Sequence, residues 1–327
     1  MDILVLGGSK FLGHRLVSLL LEQGNNVTVL NRGKTLTREL PFGVSRILAD
    51  RSDSNQVNNV LQNLKFDVVF DISGYHPSEV STTANIFNGK VKKYVFCSTV
   101  AVYDDSEIFP INEESPLNRK KDADDYCRDK ILCEDLLIEM FKSTDFPVSI
   151  IRPPYIYGPY DTFLPRLFSI FARLTQGREI IVHGDGQSLA HTVHVDDVAS
   201  AFIAVSEKDS TIGQIYNVAA PEAVTFNAYV EMIASIMKVD TKLVYLNSSD
   251  HQMVLKELGE RRFSKVFDGM WKNSFIYSTE KIRYNLDWSQ KYSMYDGLKM
   301  TYQWWIDNGL DQEVWNWADD DYVLSQI

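Results

Sequence analysis

The chain has 327 residues and is 45% hydrophobic, enough apolar material for one large core or two modest ones. Its 44 acidic against 33 basic side chains give a net charge of -11, which argues against general electrostatic binding of a nucleic-acid backbone. Cys97, Cys127 and Cys133 have no metal-ligand spacing, no basic leader precedes the first apolar run, and every apolar run is too short to span a bilayer. Reduced thiols, a cytoplasmic location and no membrane contact are therefore expected.

Short apolar runs alternate with helical periodicity through the first half. "ILVLG" (3–7) reads as a buried strand. "FLGHRLVSLLLEQG" (11–24) places Leu12, Leu16, Leu19 and Leu20 at helical spacing and stops at Gly24. Strands follow at 26–32, 45–51, 66–73, 92–99 and 147–153, with helices over 56–65, 77–89 and onward from Tyr126. Such alternation, with near-continuous Val, Ile and Leu in the strands, predicts a doubly wound α/β fold: a Rossmann-type parallel sheet covered on both faces. Beyond about residue 160, helices, Pro and Gly breaks and aromatics dominate. A helix at 194–208 and a strand at 214–219 are expected to return to the sheet. The expected division is 1–165 with 191–220 as a dinucleotide-binding domain. The residues 166–190 with 221–327 form a smaller, discontinuous α/β substrate domain. Trp304, Trp305, Trp315 and Trp317 are expected to pack a terminal helix and tail.

"LGGSKFLG" (6–13) lies between the first strand and the first helix, where a glycine turn and a helix N-terminus cradle a pyrophosphate. Gly7, Gly8, Ser9, Lys10, Phe11, Leu12 and Gly13 are the expected cofactor-binding loop, with Lys10 where a third glycine would commonly stand. The second strand ends in Asn31-Arg32 and not in an acid. That removes a repulsion against a 2′-phosphate, so NADP is favoured over NAD, with Lys10 and Arg32 available to pair with the phosphate. Asp50 is placed either to accept from an adenine amino group or to cap a turn.

The fifth strand ends in "CSTVAVY" (97–103), putting Ser98 and Thr99 at the carboxyl edge where such sheets bind ligands. Tyr126 and Lys130 follow at i, i+4 spacing and so share a helix face. A phenol titrates near 10, and a neighbouring ammonium would ease its ionisation. Tyr126 as base, Lys130 as its support and Thr99 on the same oxygen make an acid-base relay beside a hydride acceptor. His183, His191 and His194 do not share one helix face, and no metal site is expected.

The segments "LGGSKFLG", "FDVVFDISG", "YVFCSTVAVY", "YCRDKILCE", "IIRPPYIYGP" and "HGDGQSLAHTVHVDDVASA" together resemble an extended short-chain dehydrogenase/reductase of the NAD-dependent epimerase/dehydratase superfamily. The resemblance implies Thr99, Tyr126 and Lys130 as the catalytic triad. It also implies cofactor contacts from Gly7 to Gly13, Asn31, Arg32, Asp50, Arg51, Ser73, Gly74, Tyr126, Lys130 and Pro153. Substrate contacts are expected at Ser98, Thr99, His76, Tyr155 and Arg166. Family dehydratases carry acids after the catalytic Thr, where this chain has Val100 and Ala101. That points to a sugar-nucleotide 4-epimerase, with a reductase as the alternative. Family members that bind nucleotide diphosphates commonly have Asn at Tyr155 and Arg at Ala190.

"RPPYIYGPYD" and "WADDDYVLS" also resemble a sub-branch that includes the chloroplast stem-loop RNA-binding proteins. Those plant members lack the Tyr-Lys pair kept here, so an enzyme is expected and nucleic acid is not. The resemblance further implies a homodimer through the helices near 78–89 and 126–142.

Overall fold

A computed structural model describes residues 1–34, 39–161, 166–259, 262, 263, 266 and 273–327. The first elements are β1 (Asp2–Leu6), α1 (Phe11–Glu22), β2 (Asn26–Asn31), β3 (Ser45–Leu48), α2 (Ser54–Leu61), β4 (Val68–Asp71), α3 (Pro77–Phe87), β5 (Lys93–Cys97), α4 (Asp125–Thr144) and β6 (Val148–Arg152). Then come β7 (Tyr155–Tyr157), α5 (Arg166–Thr175), β8 (Ile180–His183), β9 (Leu189–Ala190), β10 (Thr192–His194), α6 (Val195–Ser206) and β11 (Ile215–Asn217). The chain finishes with β12 (Val224–Thr225), α7 (Phe226–Met237), β13 (Leu243–Leu246), α8 (Ser248–Leu258), α9 (Glu280–Leu286), α10 (Met294–Asp307) and α11 (Ala318–Leu324).

Two compact units emerge. The first holds Met1–Ile156, Val195–Ala219 and Tyr277–Gln290. Its seven strands run in the order β11-β6-β5-β4-β1-β2-β3, every neighbouring pair parallel. All residues of β4, β5 and β6 are buried, as continuous apolar runs require when helices cover both faces. On one face α2, α3 and α4 contribute Val57, Val80, Ala84 and Leu137 to a core with Leu4, Val69, Phe96 and Ile150. Each such side chain contributes about 1.5–3 kcal/mol through burial. On the other face α1 packs against α6, tied by Arg15 Nε donating to Asp196 Oδ1 at 2.7 Å. The winding order reverses between β1 and β4, which sets the ligand crevice at the carboxyl edge there.

The second unit holds Tyr157–His194, Ala220–Ile276 and Lys291–Ile327. In it β8 pairs with β13 in parallel and β9 with β12 antiparallel. Phe171 packs on Trp305 at 5.5 Å, and Trp317 lies under the guanidinium of Arg173 at 5.0 Å. Arg173 Nε also donates to the buried Asp320 on α11 at 2.6 Å, so the C-terminal helix is fastened to α5 by charge as well as by rings.

The cut between units differs from the expected boundaries. It falls after Ile156, not residue 165, and α6 begins the return at Val195. Residues Tyr277–Gln290, expected with the second unit, belong to the first. The reason is the open edge of β11. Strand edges need cover, and α9 with its flanks supplies it: Asn285 Nδ2 donates to Tyr216 at 3.4 Å, Trp288 Nε1 to Ser200 at 3.0 Å and Gln290 Nε2 to the Ala219 carbonyl at 2.5 Å. Among the described residues no helix is long and apolar enough to cross a membrane, and no group of three His, Cys, Asp or Glu could hold a metal.

Candidate active site

The glycine turn after β1 is sterically required. Gly7 has φ +96°, and a Cβ there would lie 2.6 Å from Ser73 Cβ. A Cβ at Gly13 would lie 2.2 Å from the Gly7 carbonyl oxygen, so α1 can approach the turn only with glycine at that point. Lys10 instead adopts φ -136° and ψ 149°, an extended conformation open to any residue, which is why a third glycine is unnecessary. The first turn of α1 has no acid and no capping side chain, so its N–H groups face outward for an anion. Gly8 and Leu12 are buried, while Ser9 and Phe11 are half-buried.

At the end of β2, Asn31 Oδ1 accepts from Arg46 Nε at 3.1 Å, from Arg46 Nη2 at 2.9 Å and from the Gly33 amide at 3.1 Å. Its buried Nδ2 has no partner among the described residues. Arg46, which the sequence did not single out, thus joins the exposed Arg32 at this edge. It was hidden because the register of β3 on β2, which sets Arg46 opposite Val29, cannot be read from one strand alone. Asp50 caps the next turn: Oδ1 accepts from the Ser52 hydroxyl at 2.8 Å and its amide at 3.2 Å. Those bonds hold its carboxyl below the usual range.

Arg51, expected to touch cofactor, has its guanidinium buried against Asp71. Nη1 and Nη2 donate to the two carboxylate oxygens, the latter at 2.8 Å, and Nη1 reaches Ser73 Oγ at 3.2 Å. Tyr94 donates to the same carboxylate at 2.6 Å. Burial would raise the Asp71 carboxyl, but the Arg51 charge and these bonds outweigh it and keep it low. Arg51 and Ser73 therefore brace the end of β4 from inside. Gly74 offers its carbonyl to Lys130.

The residues expected to transfer protons lie together near the end of β5. Asp124 caps α4 by accepting from the Tyr126 amide at 2.9 Å, which fixes the rotation of the helix's first turn. Lys130 is 1% exposed, and its Nζ donates to the Gly74 carbonyl at 2.9 Å and the Cys97 carbonyl at 2.6 Å. Tyr126 keeps 43% of its surface exposed. Burial around its hydroxyl and the Cys97 thiol raise the phenol, against the Thr99 hydroxyl, which lowers it. Lys130 is lowered by burial, opposed by Cys97 and Asp71. The sequence expectation was an easily ionised phenol; in the protein alone the shift is upward. Thr99 Oγ1 caps a short turn by accepting from the Ala101 amide at 3.2 Å. Ser98 is buried, and its Oγ has no partner among the described residues.

His76 precedes α3, and its Nδ1 lies 2.7 Å from Asp129 Oδ2 on α4. Pro153 is buried, and its carbonyl accepts from the Val100 amide at 3.1 Å. Tyr155 is half-buried on β7, and Arg166 opens α5 in the second unit. Besides Arg46, the sequence does not single out Glu134 or Tyr75. Glu134, on the α4 face of Tyr126 and Lys130, makes a buried bidentate pair with Arg152, at 2.9 Å to Nε and 2.5 Å to Nη2. The Glu134 spacing of four from Lys130 was a usable signal. Tyr75 packs beside Tyr126, with ring centroids 6.3 Å apart.

A parallel doubly wound sheet, a glycine turn leading into a helix, and a Thr-Tyr-Lys set gathered near the end of β5 define a dinucleotide-dependent protein of the short-chain dehydrogenase/reductase type. The chain belongs to the NAD dependent epimerase/dehydratase family, whose model matches residues 3–219. It is 28% identical, over 99% of its length and 84% of the relative's, to the chloroplast stem-loop binding protein of 41 kDa b of Arabidopsis thaliana. The UDP-glucose 4-epimerase of Thermotoga maritima, solved with UDP-glucose, superposes with a TM-score of 0.78 at 22% identity, covering 94% of this chain and 99% of that one. The dTDP-glucose 4,6-dehydratase of Bacillus anthracis, solved with NAD, gives 0.76 at 20% identity, covering 95% and 98%. These likenesses extend the expected fold to the solved structures.

Proposed function

We propose that this protein is a sugar-nucleotide 4-epimerase. One observation carries the reading: Tyr126 and Lys130 meet Thr99 at the carboxyl end of β5, one strand from the crevice at the winding reversal. Gly7 to Gly13 fit a pyrophosphate, since a Cβ at either end would close the cradle and the α1 amides are left facing it. The nicotinamide ring, when bound, supplies hydride acceptance and return. Tyr126 takes the proton from the sugar 4-hydroxyl and gives it back, Thr99 orients that oxygen, and Lys130 stabilises the phenolate.

The family's dehydratases need acids beside this Thr, and Val100 and Ala101 carry none. The first unit is assigned the dinucleotide and the second the sugar nucleotide. The family is NAD-dependent; Arg32, Arg46 and the neutral Asn31 favour admission of NADP as well. The buried, unpaired thiols fit a cytoplasmic protein. The 46% exposed Leu132 on α4 fits a homodimer through α3 and α4, and sedimentation velocity tests it.

Purified protein should release a dinucleotide on denaturation and interconvert 4-epimers of a nucleotide sugar, followed by proton NMR, without consuming added dinucleotide. A second reading, a reductase, draws on Tyr155 and Ala190, which replace the Asn and Arg that commonly hold the diphosphate. Net consumption of NADPH would favour it. The Arabidopsis relative is named for binding stem-loops, but a chain of net charge -11 is poorly suited to that. Salt-sensitive retention of an RNA hairpin is the outcome that would overturn the enzyme reading.

A further inference from the structure

We infer that Tyr75 is a positioning residue of this site, its ring closing an aromatic box around the ammonium of Lys130. The inference rests on the reading of Lys130 as part of the relay. Nζ lies 4.8 Å from the centre of the Phe96 ring, 5.1 Å from that of Tyr75 and 6.0 Å from that of Tyr126. Two of its three N–H groups are taken by the Gly74 and Cys97 carbonyls. A buried ammonium without such partners gives up its proton, and ring faces are negative enough to oppose that. Phe96 comes from a fully buried strand and Tyr126 is itself a reacting group. Tyr75 is the wall with no other assignment.

The loop after β4 aims it. Gly74, whose added Cβ would lie 2.7 Å from Val80 Cγ2, lets the chain turn closely against α3. The Tyr75 amide then donates to Glu79 Oε2 at 3.2 Å, which anchors the backbone and leaves the ring free to lie beside Tyr126. Tyr75 is 40% exposed, so one side of the box faces the crevice while the lysine behind it stays dry.

The groups facing Nζ from each packed element are Asp71 on β4, Cys97 on β5, Cys133 on α4, and Arg51 after β3. Only Asp71 and Arg51 are charged at neutral pH, and they pair with each other. The rings and carbonyls therefore do much of the work of keeping this lysine protonated. A phenyl ring retains the electrostatic face, whereas an aliphatic chain does not.

The test is the titration of Lys130 in the whole protein, followed by the Nζ and Cε resonances and assigned by their loss in Lys130→Met. Tyr75→Phe should titrate as the parent does. Tyr75→Leu, and Tyr75→Met as a second ring-free variant, should each lower the midpoint by about one pH unit. Both should remain folded by near-UV circular dichroism, since the side chain is partly exposed. An unmoved or raised midpoint in a folded ring-free variant overturns the inference, whatever happens to turnover. If the midpoint falls as expected while the parent neither holds dinucleotide nor interconverts sugars, the box stands and the epimerase reading falls.

Discussion

The Lys130 ammonium lies 6.0 Å from the centre of the Tyr126 ring and is anchored to two backbone carbonyls, one helical turn from the phenol it is meant to assist. The lysine is thus held by the sheet and not by the tyrosine. Help from the ammonium to the phenol would act through space across that gap.

Removing the phenol oxygen isolates its role. Tyr126→Phe keeps the ring in the box and the helix cap at Asp124, so the fold and dinucleotide content should match the parent. Turnover should fall at least about 100-fold, the usual share of a positioned acid-base group. Epimer interconversion by NMR and dinucleotide released on denaturation measure the two sides. Parent-level turnover in this variant would remove Tyr126 from the mechanism.

Gly13→Ala probes the cradle. The new Cβ would sit 2.2 Å from the Gly7 carbonyl, which is backbone and cannot step aside cheaply. Overpacking of this kind costs about 1–3 kcal/mol. A lower urea midpoint together with loss of bound dinucleotide is expected. A variant as stable and as loaded as the parent would show that α1 does not approach the turn this closely.

Most of the first unit was legible because its strands are buried on both faces and its helices are amphipathic, so periodicity alone separated them. The glycine turn and the Tyr126–Lys130 spacing were legible for the same reason: local geometry dictates them. What escaped depends on register and long-range packing. Arg46 reaches Asn31 only because β3 sits beside β2 in one particular register. Arg51 is expected at the cofactor from its place after the third strand, and only the fold shows that its guanidinium is buried against Asp71, twenty positions on. Residues Tyr277–Gln290 group with the first unit through bonds to Ser200, Tyr216 and Ala219, which no local pattern reveals.

The Arg51–Asp71 pair makes stability depend on pH in a definite direction. The Asp71 carboxyl is held below its ordinary value of 3.8 in the folded protein. Its contribution is therefore complete above that ordinary value and is lost as pH falls through the folded one. Asp71→Asn leaves Arg51 buried beside a neutral group and should cost about 3 kcal/mol at pH 7. Urea midpoints at pH 7, 5 and 3 should show the gap between parent and variant shrinking only at the acid end. A gap that stays constant down to pH 3 would mean that Asp71 is not the group responsible.

Glu134 makes the same argument on the helix that carries the relay. Both of its oxygens accept from Arg152, and Arg152 Nη1 also donates to the Tyr103 hydroxyl at 3.0 Å, which in turn donates to Asn217 at 2.7 Å. The pair joins α4 to β6 eight residues below Tyr126. Glu134→Ala strands a buried guanidinium and should cost about 3–5 kcal/mol, read from urea unfolding. Adding Arg152→Met removes the stranded charge and should recover most of that loss, since an apolar replacement of a buried pair is often close to neutral. A double variant no more stable than Glu134→Ala alone would show that Arg152 holds β6 through Tyr103 and the sheet edge, independently of its carboxylate partner.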